Sequence, residues 1–441
     1  MKRTAYNALL RWKNSPSRKP LILQGARQVG KTWLMKHFGA EQYRNVVYAN
    51  FDSSKTLTNY FEADLNPDRI IAALEAEFAC TITPGQTLIL FDEVQESPRA
   101  LNALKYFCEN TPHHHIIAAG SFLGVAMHGG FPVGKVDWLT IHPLSFYEFL
   151  DAIGEERLAD AARAIDIPLL SGLSEKFTAA LKTYFHVGGM PASVFAFSQR
   201  RDLNETREIQ NGILDSYTAD FSKHIKGVTI PKVKMIWDSI PAHLSREKKK
   251  FIYKELKEGA RASAFEDALD WLVRAGLVYR VGLTETPHIP LPVYQAHDAF
   301  KLFALDVGLL SAMCHLDIRT FFQPDHSVFT DFKGALTEQY ILQELKTAGR
   351  FPVCYWTNAS GKAEVDFLIQ IENDIIPIEV KSDIHTRSRS LDVYIDKHKP
   401  AHAIRFSLKN PGVSAPLHSI PLYAAASFAD FLEFNHEVPV I

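Results

Sequence analysis

The sequence predicts an α/β protein: a parallel sheet with helices on both faces, then a helical stretch, then a second α/β unit. Three observations lead there. The first third alternates short apolar runs with helix-like segments. The strand signal disappears from about 147 to 225, and from about 331 the order becomes helix, strand, strand, helix, strand. At 441 residues the chain is too long for one ordinary core. The expected divisions are 1–146, 147–225, 226–325 and 326–441.

In the first division the strand candidates are PLILQG (20–25), VVYANF (46–51), TLILFDE (87–93), HIIAAGS (115–121) and VDWLTIHPL (136–144). Helix-like segments near 32–38, 67–79 and 98–109 lie between them. Continuous apolar strands separated by helices mean βαβ units, buried on both faces. In the second division SFYEFLDAIG, SEKFTAALKTYFHVGG and NETREIQNGILDSYTADFSKHI read as helices, with Gly188, Gly189 and Pro191 marking a break. In the third, residues 246–282 read as two helices and a strand. With LPVYQAH (291–297) as a returning strand, that order predicts a winged helix-turn-helix.

The formal net charge of −2 excludes a basic field over the whole molecule, so any nucleic-acid contact must come from local patches. Cys80, Cys108, Cys314 and Cys354 are scattered, which speaks against a zinc site or a disulfide framework. The N-terminal stretch is basic but lacks the apolar core of a signal peptide, and no run approaches the roughly 20 apolar residues of a membrane span. A cytoplasmic location with no membrane partner is expected.

Residues 25–32, GARQVGKT, form a complete G-x-x-x-x-G-K-T between an apolar strand and a helix. Gly25 and Gly30 let the backbone curl, so that the N–H groups of Gly25, Ala26, Arg27, Gln28, Val29, Gly30, Lys31 and Thr32 face the phosphates of ATP. Lys31 would contact the β- and γ-phosphates and Thr32 would ligate Mg²⁺. TLILFDEV ends in Asp92 and Glu93: Asp92 is expected in the Mg²⁺ shell, and Glu93 is placed to polarise the attacking water. HIIAAGS delivers Ser121 to the same edge as a sensor of the γ-phosphate. Arg27, Arg99 and Lys135 read as surface charges rather than an arginine finger, and the run His113–His115 as a solvated loop.

The late segment EVDFLIQIENDIIPIEVKS (364–382) reads as two strands around a turn. Centring that turn on Asn373-Asp374 sets Asp366 opposite Lys381 and Leu368 opposite Glu379, all four on one side. Val365, Phe367 and Ile369 would face Ile378 and Val380 on the core side. Two carboxylates so placed suit one hard divalent ion, Mg²⁺ or Mn²⁺, with Lys381 stabilising developing charge and Glu338 on the preceding helix as a further ligand. The same letters also describe an ordinary cross-strand ion pair. The helix SAFEDALDWLVRAG carries Glu266, Asp267 and Asp270 against Arg274, which disfavours base reading and favours packing or protein docking.

In chain order GARQVGKT, LILFDEVQ, AAGS, HPLSFYEFL, HVGGMP, KLFALDVGLL, GALTEQYILQEL and EVDF…PIEVKS resemble the prokaryotic AAA-type ATPases that carry a C-terminal domain of unknown function, over residues 18 to 385 or so. That resemblance implies an AAA-like P-loop NTPase module, a winged-helix region and a domain similar to the PD-(D/E)xK restriction-endonuclease fold. It implies metal ligands at Asp366 and Glu379, a catalytic Lys381, and Glu338 beside them. Two departures stand out: Ala26 where the family often has proline, and Lys135 where arginine is usual. If that position acts in trans within a homo-oligomer, lysine makes the weaker finger. The expected function is an ATP-hydrolysing module coupled to a metal-dependent, nucleic-acid-processing domain. The alternative is an ATP-dependent regulatory switch whose nuclease-like domain does not cut and binds protein or DNA partners.

Overall fold

A computed structural model describes all residues except 122–133, 226, 247, 318–329, 350, 384–387 and 434–441. The chain divides into two compact units: Met1–His142 with Arg274–Leu277, and Pro143–Val273 with Val278–Ile441. The expected boundaries at 225/226 and 325/326 touch residues outside the described set.

The first unit runs α1 (Thr4–Asn14), β1 (Leu21–Gln24), α2 (Lys31–Gln42), β2 (Asn45–Asn50), α3 (Lys55–Ala63), α4 (Pro67–Phe78), β3 (Thr87–Asp92), α5 (Pro98–Asn110), β4 (His115–Ala119) and β5 (Asp137–Thr140). Its five strands are all parallel, in the order β2-β3-β4-β1-β5. β3 and β4 are buried along their whole length, as their unbroken apolar runs require. Phe51, Phe61 and Phe91 pack edge to face at centroid distances of 5.3–5.6 Å within that core. Because every strand runs the same way, the segments after β1, β3 and β4 emerge at one edge. Helices α1 and α3 go beyond the sequence reading. Only Leu9 and Trp12 are buried on one and Leu57 and Phe61 on the other, which leaves a faint helical period.

The second unit continues with α6 (Phe146–Ala152), α7 (Glu156–Arg163), α8 (Ile167–Gly172), α9 (Ser174–Val187), α10 (Pro191–Arg200), α11 (Leu203–His224), α12 (Ile230–Leu244) and α13 (Ala262–Arg274). There follow β6 (Val278–Thr284), β7 (Phe300–Ala304), α14 (Val307–Met313), α15 (Thr330–Ala348), β8 (Val353–Thr357), β9 (Glu364–Ile371) and β10 (Asp374–Val380). The last elements are α16 (Arg389–His398), β11 (Ala403–Ser407), β12 (Gly412–Ser414), β13 (Leu417–Pro421) and α17 (Phe428–Glu433). The strands form one mixed sheet in the order β12-β13-β11-β10-β9-β8-β6-β7.

Three expectations in this unit are corrected. In the basic run REKKKF, expected on a helix, the described residues 248–251 are not helical: Lys250 bridges to Lys301, and the Phe251 N–H donates to the Phe300 carbonyl at 2.8 Å. Five charged residues in six offer no apolar face to hold a helix down. LPVYQAH is not a strand but begins with a 3-10 turn, Leu291–Tyr294, because Pro290 and Pro292 supply no N–H to a ladder. The strand that returns beside β6 is β7, and both belong to the eight-stranded sheet rather than to a separate wing.

Helix α15 is the axis of this unit. Every residue from Ala335 to Leu345 is buried, so its polar side chains must find partners inside. The Gln339 amide bonds both the N–H and the carbonyl of Ala304 (2.9 and 2.7 Å), closing the edge of β7. Gln343 accepts from the Val307 N–H at 3.0 Å and donates to the Tyr184 hydroxyl at 2.7 Å. Glu344 accepts from the Phe146 N–H at 2.9 Å, at the start of α6. Asp306 caps α14 through the Leu309 N–H (2.9 Å) and also accepts from the Gly189 N–H (2.7 Å). A Cβ on Gly188 would lie 2.2 Å from Asp306 Oδ1, and one on Gly189 would lie 2.1 Å from the Leu144 carbonyl oxygen. HPLSFYEFL, HVGGMP, KLFALDVGLL and GALTEQYILQEL thus meet at one buried junction.

Burial raises the Glu344 carboxyl from 4.5 to about 8, opposed by the Phe146 N–H. Between those values the native state binds more protons than the unfolded state, so this contribution to stability declines as pH rises and is lost above about 8. Glu344→Gln keeps an acceptor for Phe146 and removes the buried charge. Its melting temperature should pull ahead of wild type from about pH 4.5 upward and level off near pH 8 with a gain on the order of 5 °C. Parallel melting curves across that range would mean that Glu344 titrates alike in the folded and unfolded chain.

Candidate nucleotide site

The phosphate-binding loop is built by local geometry at the edge where β1 ends. Gly25 has φ +141°, and a Cβ there would lie 2.3 Å from the carbonyl oxygen of Ile141, so no other residue fits. Gln28 (φ 64°) and Gly30 (φ 93°) complete the curl, and Gly30 starts α2. Ala26 and Val29 are buried beneath the loop. Arg3 ties this floor down from the N-terminus, donating to the Val29 carbonyl at 3.1 Å and the His142 carbonyl at 2.6 Å. Gly276, one of the four residues the first unit takes from the turn after α13, would place a Cβ 3.3 Å from the Ala26 nitrogen.

Lys31 is 7% exposed and its ammonium donates to the carbonyls of Gly25 (2.9 Å) and Ala26 (2.7 Å) and to Ser121 Oγ (3.5 Å). Burial pulls it down from 10.5 to about 8, while Glu93 and Asp92 oppose the shift. The charge is therefore poised close to where phosphate oxygens would restore it. Asp92 is buried, and its Oδ2 accepts from the Thr32 hydroxyl and the Tyr48 hydroxyl, both at 2.8 Å. Its Oδ1 accepts from the Glu93 N–H at 3.1 Å. Glu93 follows in a left-handed conformation (φ 49°), with one carboxylate oxygen 2.7 Å from the Gln95 amide nitrogen. Loop, acidic pair and Ser121 are thus brought together from three strand ends. Thr32 and Asp92 present adjacent hard oxygens, a donor set that fits Mg²⁺.

Tyr48 and Gln95 escaped the sequence reading. Tyr48 sits in an apolar run, two residues before Asn50, which pairs with Asp92 in the sheet; Lys36 lies 3.4 Å above its ring. Only the strand pairing reveals that its hydroxyl reaches the carboxylate. Arg99 donates to the Phe61 carbonyl at 2.9 Å, and Lys135 pairs with Glu109 at 3.0 Å. His115 is buried against the Tyr43 hydroxyl at 2.7 Å, and burial lowers it to about 4.

The late hairpin differs from its expected register by two residues. Its turn is Glu372-Asn373, with Glu372 left-handed (φ 51°), and Ile371 pairs with Asp374 and Phe367 with Ile378. Asp366 therefore does not face Lys381. The β8–β9 ladder also holds an irregularity, two residues of β8 (Cys354 to Trp356) spanning three of β9 (Val365 to Leu368). Alternation resets there, and Val365 shares an apolar cluster with Leu368 rather than with Phe367 and Ile369. Asp366 Oδ2 accepts from the Val380 N–H at 2.8 Å. Burial, then Glu338 and Glu379, push its carboxyl well above the usual range. Lys381 lies 2.6 Å from Glu379 Oε1.

The three carboxyls expected to share a metal ion do come together: Glu338 is hydrogen-bonded to Asp366, and Glu338 and Glu379 both act on the Asp366 carboxyl. Among the described residues no group of three or more His, Cys, Asp or Glu is placed to hold a metal ion. Glu338 is also paired with Lys249 and lies 3.8 Å from Lys301. The acidic side chains of α13, Glu266, Asp267 and Asp270, line its exposed face. Among the described residues no helix is long and apolar enough to cross a membrane.

Residues 17–150 match the family model described as an AAA domain. Residues 178–320 match a domain of unknown function (DUF8612) and residues 333–422 another (DUF4143). No curated protein matches the chain. Among solved structures, the Walker-type ATPase PABY2304 of Pyrococcus abyssi is similar at 13% identity, covering 71% of this chain and 95% of its own, with a TM-score of 0.45. The RuvB Holliday junction branch migration motor of Thermotoga maritima matches at 14% identity, 64% and 90% coverage, and a TM-score of 0.32. The Orc1 protein of Aeropyrum pernix in complex with DNA matches at 11% identity, 72% and 92% coverage, and a TM-score of 0.28. The AAA-type reading rests on the family match and on the loop geometry.

Tyr48→Phe keeps the ring under Lys36 and removes one of the two hydroxyl donors to Asp92 Oδ2. Its affinity for Mg·ATP should fall about 5- to 10-fold with the melting temperature unchanged, as titration calorimetry would read. Undiminished affinity would mean that Thr32 alone orients the carboxylate.

Proposed function

We propose that the chain is an ATP-hydrolysing switch: nucleotide bound at residues 25–32 is hydrolysed in the first unit, and the second unit is a binding module that responds to it. The observation that carries this reading is the convergence of Lys31, Thr32, Asp92, Glu93 and Ser121 at one sheet edge. In the reaction as we read it, Lys31 exchanges the Gly25 and Ala26 carbonyls for phosphate oxygens. Glu93, within reach of Gln95 and outside the Thr32–Asp92 pair, accepts a proton from the attacking water. Ser121 donates to the γ-phosphate. Thr32 and Asp92 would hold Mg²⁺, which would supply charge neutralisation at the phosphates.

Support for coupling comes from the chain path. Arg274–Leu277 belong to the first unit, although the residues on both sides belong to the second. The turn that carries Gly276 against Ala26 is covalently continuous with α13 and β6, so a shift of the loop on binding ATP has a direct route into those elements. The second reading, nucleic-acid cleavage by the late hairpin, is favoured only by the nearness of Glu338, Asp366 and Glu379. It lacks a metal-holding group among the described residues.

Glu93→Gln should bind ATP as tightly as wild type and release phosphate about 100-fold more slowly. Wild-type turnover in that variant would remove Glu93 from the mechanism. With ATP trapped in Glu93→Gln, backbone hydrogen exchange over residues 262–284 should slow relative to the nucleotide-free protein. Identical exchange in the two states would leave an ATPase without a switch.

A further inference from the structure

The carboxylates of the second unit sit in a place where an unpaired negative charge is not tolerated. Glu338 is 6% exposed on a helix buried on all sides, and Glu379 is 4% exposed. A nuclease-like site would balance such charges with a divalent cation. Here the balance comes from the protein itself. Lys249, on the stretch between α12 and α13, is ion-paired with Glu338 Oε1. Lys301, on β7 and fully buried, lies 2.6 Å from Glu364 Oε1 and 3.8 Å from Glu338 Oε2, with the Tyr355 ring centroid 4.8 Å from its ammonium. Lys381 answers Glu379 at 2.6 Å. Three ammonium groups therefore meet Glu338, Glu364 and Glu379 one for one. The fourth carboxyl, Asp366, accepts from the Val380 N–H and is hydrogen-bonded to Glu338, which burial and the neighbouring carboxylates favour by keeping Asp366 protonated.

We infer that Lys249 and Lys301 take the position that a divalent cation would need in this cluster, so that the second unit is held together by an internal ion network and does not cut phosphodiesters. An added cation would sit against two ammonium groups already engaged on Glu338, and like charges at that spacing repel. The two lysines come from segments about 90 and 40 residues before Glu338 in the chain, outside the hairpin and its helix. That makes the closure a property of the whole unit rather than of the motif. The inference deepens the switch reading by stating why the second unit binds without cleaving. It stands on that unit alone, so loss of ATP hydrolysis would leave it intact.

The test uses the nucleotide-free, full-length chain and Mn²⁺ alone, with the free ion followed by its electron paramagnetic resonance signal. Wild type should take up no more Mn²⁺ than Asp366→Asn does, and should leave supercoiled plasmid intact. Glu338→Gln leaves the half-buried Lys249 without its carboxylate, while Lys301 keeps Glu364, and should lower the melting temperature by about 5 °C. Adding Lys249→Met to it should recover part of that loss. Should Glu338→Gln fail to fold, soluble yield of the double variant against the single one makes the same comparison. Uptake of one equivalent of Mn²⁺ by wild type that Asp366→Asn abolishes would overturn the inference. So would plasmid cleavage lost in Lys381→Ala, or a Glu338→Gln chain that melts with wild type.

Discussion

A charge taken out of water needs a partner within a few ångströms, and both units of this chain are organised by that requirement. In the first, the Lys31 ammonium is buried and rests on two carbonyls of its own loop, while Asp92 is held by two hydroxyls and a backbone N–H. These are arrangements that phosphate and a cation can replace without rebuilding the fold. In the second, Glu338, Gln339, Gln343 and Glu344 of α15 reach out to other parts of the unit. Glutamine closes the edge of β7, glutamate starts α6, and Glu338 gathers lysines from two distant segments.

The two solutions differ in what they leave open. Partners in the first unit are backbone carbonyls and hydroxyls, weak enough to exchange for a ligand. Those in the second are full charges in direct contact, each of which would be costly to separate. A binding site and a structural lock can therefore draw on the same residue types, and the identity of the partner decides which one results. Glu364 and Glu379 of the hairpin belong to the second kind because ammonium groups stand against them.

Much of the geometry of the candidate nucleotide site was legible because it is local. GARQVGKT requires glycine at its two ends for backbone reasons that hold in any fold, and the positive φ angles of Gly25 and Gly30 are those reasons made visible. The alternation of apolar runs with helical segments likewise specifies a parallel sheet. Tyr48 was not legible, since its hydroxyl meets Asp92 only through the pairing of β2 with β3. The hairpin register was misjudged by two residues because Glu372-Asn373 makes as good a turn as Asn373-Asp374. A bulge that resets alternation leaves no mark in the letters. The wing strand failed for a readable reason, the prolines at 290 and 292.

By itself, then, the sequence determined what depends on neighbours in the chain: the phosphate-binding loop, the acidic pair at the end of a buried strand, the helical middle and the late hairpin. Tertiary structure decided what depends on residues far apart. It merged β6 and β7 into the same sheet as the hairpin and set four separate motifs around Asp306 and α15. It also brought Lys249 and Lys301 to Glu338. The physical reason is the range of the forces concerned. Backbone conformation and periodic burial are specified within a few residues, whereas the pairing of a buried charge is specified only once the chain has closed around it.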